Sequence, residues 1–155
     1  MTVFGIGPKI VFTTVPYFIL MTYISSEYPS IFNINFIPEY ILKTAGILLL
    51  SFGILFFIRT QITFIKEIKK GKLITTGTFA YCRNPIYSAF ILFIIPSIAL
   101  LLNSWPSLTA SLIAYIVFKI NIKKEYNYLR DKFGDEYNEY ERKVNEIFPF
   151  KKKWF

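Results

Sequence analysis

The chain has 155 residues, of which 54% are hydrophobic and 19% aromatic, and it carries a formal net charge of +8. One small soluble core cannot bury that much apolar surface, so the composition excludes an ordinary soluble domain and indicates a polytopic membrane protein. Histidine is absent and Cys82 is the single cysteine, which excludes an internal disulfide, a Cys/His zinc site and imidazole catalysis. The basic residues adjoin hydrophobic segments and match no nucleic-acid motif, so anionic lipid headgroups are the expected partners of the positive charge.

The first apolar segment predicts a membrane span over residues 10–25. Pro16 in its middle is expected to kink this helix rather than end it. No small-x-small cleavage site follows, so we expect the segment to stay in the mature protein rather than act as a secretory signal. The loop from Glu27 to Glu39 carries two acidic residues and no basic one, which indicates the outer face of the membrane.

The second apolar segment, residues 40–58, matches the roughly 20 residues that a helix needs to cross a bilayer. Gly46 and Gly53 lie on similar faces of this helix and predict a close contact with another helix. The chain is then strongly basic through residues 59–72, so the positive-inside rule predicts a cytoplasmic loop. Apolar residues within 60–70 have helical spacing, which predicts a helix lying along the membrane surface.

A polar, aromatic segment from Gly77 to Ser88 separates the basic loop from the next apolar run. Asn84 is a good helix N-cap and Pro85 suits the first helical position, so a helix is predicted to begin at Pro85. The unpaired N–H groups of that helix start and the charge of Arg83 form a place that could hold a carboxylate or a phosphate. An interfacial loop whose arginine faces lipid phosphate is the alternative interpretation.

Two further apolar runs, residues 86–102 and 106–122, are predicted to form an antiparallel hairpin of membrane helices, bent at Pro96. The second run is expected to continue as an amphipathic helix until Gly134 ends it, and a short helix should follow. The sequence therefore predicts an all-α, polytopic membrane protein with four transmembrane helices. We expect one domain, residues 1–155, with both termini in the cytoplasm.

The charged, tyrosine-rich tail, residues 123–155, is predicted to lie on the cytoplasmic side and is long enough to fold back as a helical lid. Tyr137, Tyr140 and the segment Phe148-Pro149-Phe150 are the candidate apolar underside of that lid. Anchoring of the same aromatic residues to lipid headgroups is the alternative.

Two motifs follow each other in the second half of the chain. The first is the segment 77–87, which ends in Tyr-Cys-Arg-Asn-Pro-Ile-Tyr, and the second runs from Glu125 through Phe-Gly-Asp-Glu-Tyr at 133–137 to Pro149-Phe150. In this order, and separated by a membrane hairpin, they resemble the isoprenylcysteine carboxyl methyltransferase and phospholipid methyltransferase family. The resemblance implies an integral membrane enzyme that uses S-adenosylmethionine, with the cofactor at the cytoplasmic membrane surface between the two motifs.

The resemblance also implies which residues form the site. Arg83 and Glu125 are the candidate catalytic residues, and the candidate cofactor-binding residues are Tyr81, Arg83, Asn84, Pro85, Tyr87 and Glu125. Their chemistry suits the cofactor, because Arg83 offers a partner for its carboxylate and Glu125 one for its ribose hydroxyls or amino group. Tyr81 and Tyr87 could face its sulfonium or adenine. No metal ion is expected to take part.

At two positions the chain departs from the family pattern. Members often have histidine where Asn84 stands, and many have Glu-Glu where this chain has Glu125-Tyr126. Asparagine donates and accepts hydrogen bonds but does not titrate, so a proton-transfer role does not carry over to Asn84. If the second carboxylate of the pair contacts the substrate, the choice of substrate is expected to differ here.

The resulting hypothesis is transfer of a methyl group from S-adenosylmethionine to a lipophilic acceptor that enters from the bilayer. A prenylcysteine carboxylate and a phospholipid amine both suit this description. One alternative is a membrane reductase of related architecture that uses NADPH, although a 2′-phosphate needs more basic residues than Arg83 alone. Another is a non-catalytic membrane scaffold or transporter subunit, but no acidic residue lies inside a predicted span, where ion pathways often need one.

Overall fold

The first apolar segment forms a helix from Gly7 to Glu27 (α1) in the computed structural model, which describes residues 5–150. Pro16 lies inside this helix without ending it, as the sequence predicts. The loop after α1 contains one short helical turn, Pro29–Phe32 (α2). The second apolar segment belongs to a longer helix, Glu39–Ile68 (α3).

The predicted separate surface helix within residues 60–70 is wrong, because α3 continues without a break to Ile68. No glycine or proline interrupts the sequence between Arg59 and Ile68, so the backbone ladder of hydrogen bonds simply extends. At 30 residues, α3 is about 45 Å long, well beyond the roughly 30 Å of a bilayer's hydrocarbon. Its end therefore projects past the apolar region, carrying basic side chains with it.

The predicted pairing of two helices in a hairpin is confirmed, while a membrane crossing by both arms stays a prediction. Its first arm is the helix Pro85–Leu101 (α4), which begins at the predicted residue. The middle of α4, Ala89–Ile94, is π-helical. Pro96 lies just beyond this stretch, and because proline clashes with the carbonyl four residues earlier, the turn before it widens.

The second arm is the helix Trp105–Phe133 (α5), which runs unbroken from the fourth apolar segment into the charged tail. Gly134 ends it with a φ of +52°, a conformation that favours glycine, and the predicted short helix Asp135–Lys143 (α6) follows.

Among the described residues, three helices, α1, α3 and α5, are long and apolar enough to cross a membrane, and α4 is apolar but shorter. The protein is therefore an all-helical integral membrane protein. The four-span topology and the cytoplasmic position of the lid stay predictions.

Neighbouring helices pack in the order α1, α5, α4, α3. The contact predicted from Gly46 and Gly53 is confirmed, since it joins α3 to α4. A Cβ added at Gly46 would lie 2.9 Å from Cγ of Leu101, and one at Gly53 would lie 2.8 Å from Cβ of Phe93. Only glycine allows this close approach of the two helices.

Beyond α6, residues 144–147 form a strap across the start of α4, and this strap is extended at Val144 and bridges to Cys82 at Asn145. The amide of Arg83 donates to the carbonyl of Asn145 at 2.8 Å, and the amide of Asn84 donates to that of Glu146 at 3.1 Å. These bonds fasten the tail to the first motif.

Of the expected lid underside, Tyr137 and Tyr140 are buried as predicted. The prediction is wrong for Phe148 and Phe150, which are 53% and 69% exposed. The chain turns back on itself here, because Nδ2 of Asn145 donates to the carbonyl of Phe150 at 2.7 Å, and both rings face outward.

Candidate functional site

Arg83 lies two residues before Pro85, the first residue of α4, and its guanidinium already pairs with protein groups. It forms an ion pair with Glu141 of α6, and its Nη1 lies 3.4 Å from the hydroxyl of Tyr137. The guanidinium carbon stacks over the ring of Tyr126 at 4.9 Å. The second carboxylate oxygen of Glu141 accepts from Arg130 Nη2 at 2.6 Å. The expected free anion site at Arg83 is therefore occupied by the protein's own carboxylate.

The ion pair between Arg83 and Glu141 keeps both groups charged. Burial by itself would lower the pKa of Arg83, but the hydrogen bond and charge of Glu141 outweigh it and raise that pKa. Burial by itself would raise the pKa of Glu141, but the hydrogen bonds from Arg130 and Arg83 outweigh it and lower that pKa. The pair consequently holds α6 against the start of α4.

Asn84 is buried at the N-cap position, but its side chain does not cap α4. Nδ2 donates instead to the hydroxyl of Tyr126 at 2.6 Å and to the carbonyl of Glu146 at 2.9 Å. Pro85 follows as the first residue of α4 and is also buried. Asn84 thus ties α4, α5 and the strap together.

The side chains of Glu125 and Tyr87 both lie beside Gly5. Oε2 of Glu125 is buried, and no hydrogen bond to it is formed within residues 5–150. A Cβ built on Gly5 would lie 3.2 Å from this oxygen and 3.0 Å from the hydroxyl of Tyr87. The backbone of Gly5, which has no side chain, therefore occupies the space next to the Glu125 carboxylate. Within the described residues, Oε2 keeps an unsatisfied acceptor.

The two motifs meet around a cavity of about 400 Å³, here called the motif cavity. Arg83, Asn84, Pro85, Tyr87 and Glu125 all line it. Arg83, Asn84 and Glu125 also line a neighbouring space of about 340 Å³, the aromatic cavity. Its walls include the rings of Phe64, Phe79, Tyr126, Tyr128, Phe133, Tyr137 and Tyr140. Five of the six candidate cofactor-binding residues therefore converge on one place.

A third space, the apolar cleft of about 310 Å³, lies between α1 and α4. Aliphatic and aromatic side chains make up nearly all of its lining. Gly7, Ile86 and Tyr87 line both this cleft and the motif cavity, so the two adjoin at Tyr87.

Tyr81 is the candidate residue that the structure does not bring into these cavities. It is 47% exposed, whereas its neighbour Cys82 is fully buried against Asn145 of the strap. Burial raises the pKa of the Cys82 thiol to about 12, which fits a packing residue rather than a nucleophile.

Sequence reasoning missed two residues of this region, Glu141 and Glu146. Glu141 resembled an exposed surface position, but it lies four residues after Tyr137 and so shares the buried face of α6. That spacing could have identified it. Glu146 acts partly through its backbone carbonyl, for which no side-chain pattern gives a signal.

Several known proteins are similar to this chain in sequence. The sequence model of the family described as "Phospholipid methyltransferase" matches residues 48–136, more than half of the chain. A protein of Oryza sativa subsp. indica named "Probable protein-S-isoprenylcysteine O-methyltransferase" is 35% identical over 91 residues, which cover 59% of this chain and 48% of the relative. The "Protein-S-isoprenylcysteine O-methyltransferase" of Schizosaccharomyces pombe is 36% identical over 84 residues, which cover 54% of this chain and 36% of the relative.

A protein of the same name from Rattus norvegicus is 27% identical over 118 residues, which cover 70% of this chain and 42% of the relative. The chain thus spans half or less of the length of the curated relatives it matches. The matched residues 48–136 contain the first motif and Glu125. The chain therefore belongs to the phospholipid methyltransferase family, to which its two motifs already point.

Proposed function

We propose that this protein transfers a methyl group from S-adenosylmethionine to a lipophilic acceptor that arrives from the bilayer. The observation that carries the proposal is the buried carboxylate oxygen of Glu125, which has no hydrogen-bond partner among residues 5–150. A buried charge without a partner is costly, so a cavity that contains one fits a ligand with positive charge and N–H or O–H donors. S-adenosylmethionine carries a sulfonium, an ammonium group and ribose hydroxyls.

The residues present fit this cofactor. Glu125 would pair with its cationic or hydroxyl groups, and the aromatic cavity offers rings such as Phe64 and Phe79 on which adenine can stack. Arg83 supports the site mainly by holding α6 through Glu141, and its buried Nε keeps a donor that is unused within the described residues. When bound, the cofactor supplies a methyl group activated by the adjacent sulfonium.

The apolar cleft supports a route for the acceptor. Along α4 it runs from Tyr87 to Ile98, roughly 16 Å at the helical rise per residue, which suits one hydrocarbon chain. An acceptor whose hydrocarbon chain lies in the cleft would have its polar end at Tyr87, at the edge of the motif cavity. The family description supports a phospholipid acceptor and the relatives' names a prenylcysteine acceptor, so the proposal covers both.

The protein's own contribution to the reaction would be positioning and exclusion of water. Tyr87 and Glu125 would orient the two reactants at the meeting point of cleft and cavity. The strap and α6, fastened to Arg83 and Asn84, would act as the lid. The basic ends of α3 and α5 support a cytoplasmic position for this region, with α4 as the fourth span.

Of the alternatives, a non-catalytic scaffold is disfavoured by the matches to methyltransferases. An NADPH-dependent reductase is disfavoured because the group without a hydrogen-bond partner among residues 5–150 is the Glu125 carboxylate, which would repel a 2′-phosphate.

Calorimetry on the detergent-purified protein tests the proposal, with S-adenosylhomocysteine and NADPH as ligands. We expect S-adenosylhomocysteine alone to bind, and Glu125→Gln to weaken it about tenfold to a hundredfold, the loss of one charged contact. Glu139→Gln is the matched control, because Glu139 is exposed and pairs with its neighbour Lys143 on the surface of α6. Binding of NADPH in place of S-adenosylhomocysteine would overturn the proposal.

A further inference from the structure

A chain of hydrogen bonds runs from Asn84 to the surface. Asn84 Nδ2 donates to the Tyr126 hydroxyl at 2.6 Å, and that hydroxyl donates to Oε1 of Glu146 at 3.1 Å. The other carboxylate oxygen of Glu146 accepts from Lys119 Nζ at 2.7 Å. Asn84 and Tyr126 are both buried, whereas the Lys119 side chain is half exposed. The buried end of this chain therefore lies at the site and its anchor lies at the surface.

These bonds determine which way the Asn84 amide faces. The backbone carbonyl of Glu146 can only accept, so the group of Asn84 that lies 2.9 Å from it must be the NH₂. The NH₂ also donates to Tyr126, so both of its hydrogens are used. Within residues 5–150 no hydrogen bond engages Oδ1, and Asn84 lines both the motif cavity and the aromatic cavity. The carbonyl oxygen is thus the part of the side chain left for a ligand.

We infer that Tyr126 and Glu146 are positioning residues, which hold the Asn84 carbonyl oxygen so that it accepts a hydrogen bond from the cofactor's ammonium group. The inference rests on the proposed function. Oδ1 of Asn84 and the carboxylate of Glu125 are both pure acceptors on one cavity, and an ammonium group offers three donors. Because the amide is fixed before the ligand arrives, little side-chain entropy is lost on binding.

The substitution Tyr126→Phe removes the hydroxyl but keeps the ring on which Arg83 stacks. Two probes separate positioning from general damage: S-adenosylhomocysteine, which has the amino-acid part, and 5′-methylthioadenosine, which lacks it. We expect the variant to bind S-adenosylhomocysteine about threefold to tenfold more weakly, the effect of one misplaced hydrogen bond. Its affinity for 5′-methylthioadenosine should not change. Tyr115→Phe, the same substitution on α5 away from the cavities, should leave both affinities unchanged.

A second pair of variants tests Glu146. Glu146→Gln keeps an acceptor for the Tyr126 hydroxyl and should keep the affinity for S-adenosylhomocysteine within about twofold, whereas Glu146→Ala should lose as much as Tyr126→Phe. Unchanged affinity in Tyr126→Phe, or an equal loss for both probes, would overturn the inference. Failure of the unmodified protein to bind either probe would instead overturn the proposed function, and this inference with it.

Discussion

Nδ2 of Asn84 donates a 2.6 Å hydrogen bond to the hydroxyl of Tyr126. These are the two positions at which the family resemblance leads us to expect a histidine and a second glutamate instead. The departures are therefore not independent, because an amide and a phenol that are both neutral at pH 7 contact each other in a buried place. Changing one of them changes the environment of the other.

Asn84→His should make cofactor binding depend on pH. Asparagine does not titrate, so Asn84 itself adds no pH dependence to the affinity of the unmodified protein for S-adenosylhomocysteine between about pH 6 and 8. Protonated histidine has no acceptor and would repel an ammonium group, so the variant should bind more weakly as pH falls through the histidine pKa, about 6.5 in an ordinary environment. Calorimetry across this range measures it. Asn138→His, at an exposed position of α6, is the control, and a flat profile in Asn84→His would contradict the prediction.

Glu141→Gln should destabilise the fold at neutral pH. The substitution leaves Arg83 partly buried without its ion-pair partner, at a cost of about 2 kcal/mol in the free energy of unfolding. The pKa of Glu141 is lowered from its ordinary 4.5, so its stabilising effect is complete above that value. The effect is lost as pH falls through the lowered folded-state pKa.

Thermal unfolding of the Glu141→Gln variant and the unmodified protein in detergent, between about pH 3 and 8, checks this sign. The gap in melting temperature should be constant at neutral pH and close at acidic pH. Glu139→Gln, at an exposed position, should show a much smaller gap. A gap that widens on acidification would show that the ion pair is not the cause.

Two truncations distinguish the strap from the exposed aromatic end. Deletion from Glu146 onward removes the carbonyl that accepts from Asn84 and the buried side chain of Ile147. We expect this variant to insert into membranes but to lose binding of S-adenosylhomocysteine. Deletion from Phe148 onward keeps both residues and should retain binding, because Phe148 and Phe150 are exposed. Equal binding by both truncated proteins would rule out the strap as part of a lid.

Single-cysteine labelling decides the topology. The native Cys82 thiol is buried and weakly acidic, so it should react little with the label. The background substitution Cys82→Ala removes even this contribution. A cysteine at Asn33 should be labelled only from outside the cell, and one at Lys124 only from inside. Labelling of both positions from the same side would contradict the four-span arrangement.

The sequence predicted several elements closely because their signals are local. Pro85 as the start of α4, Gly134 as the end of α5 and the close contact at Gly46 follow from conformational preference or the lack of a side chain. The prediction of a separate surface helix was wrong because it, too, used only a local signal. Its apolar spacing is equally compatible with an extension of α3, and nothing local distinguishes the two.

The sequence by itself determined that the protein is helical and membrane-embedded, and it identified the two motifs that meet at the site, since composition, periodicity and motif order are properties of the chain alone. Only the tertiary structure decided which charges pair there. Arg83 and Glu141 lie 58 positions apart in the sequence, and the folding of α6 and the strap onto α4 brings the Glu141 carboxylate to the guanidinium. The Glu125 carboxylate is not brought there, and its Oε2 has no hydrogen-bond partner among residues 5–150. Pairing across such separations depends on how the helices and the strap approach one another in space, which local preference does not encode.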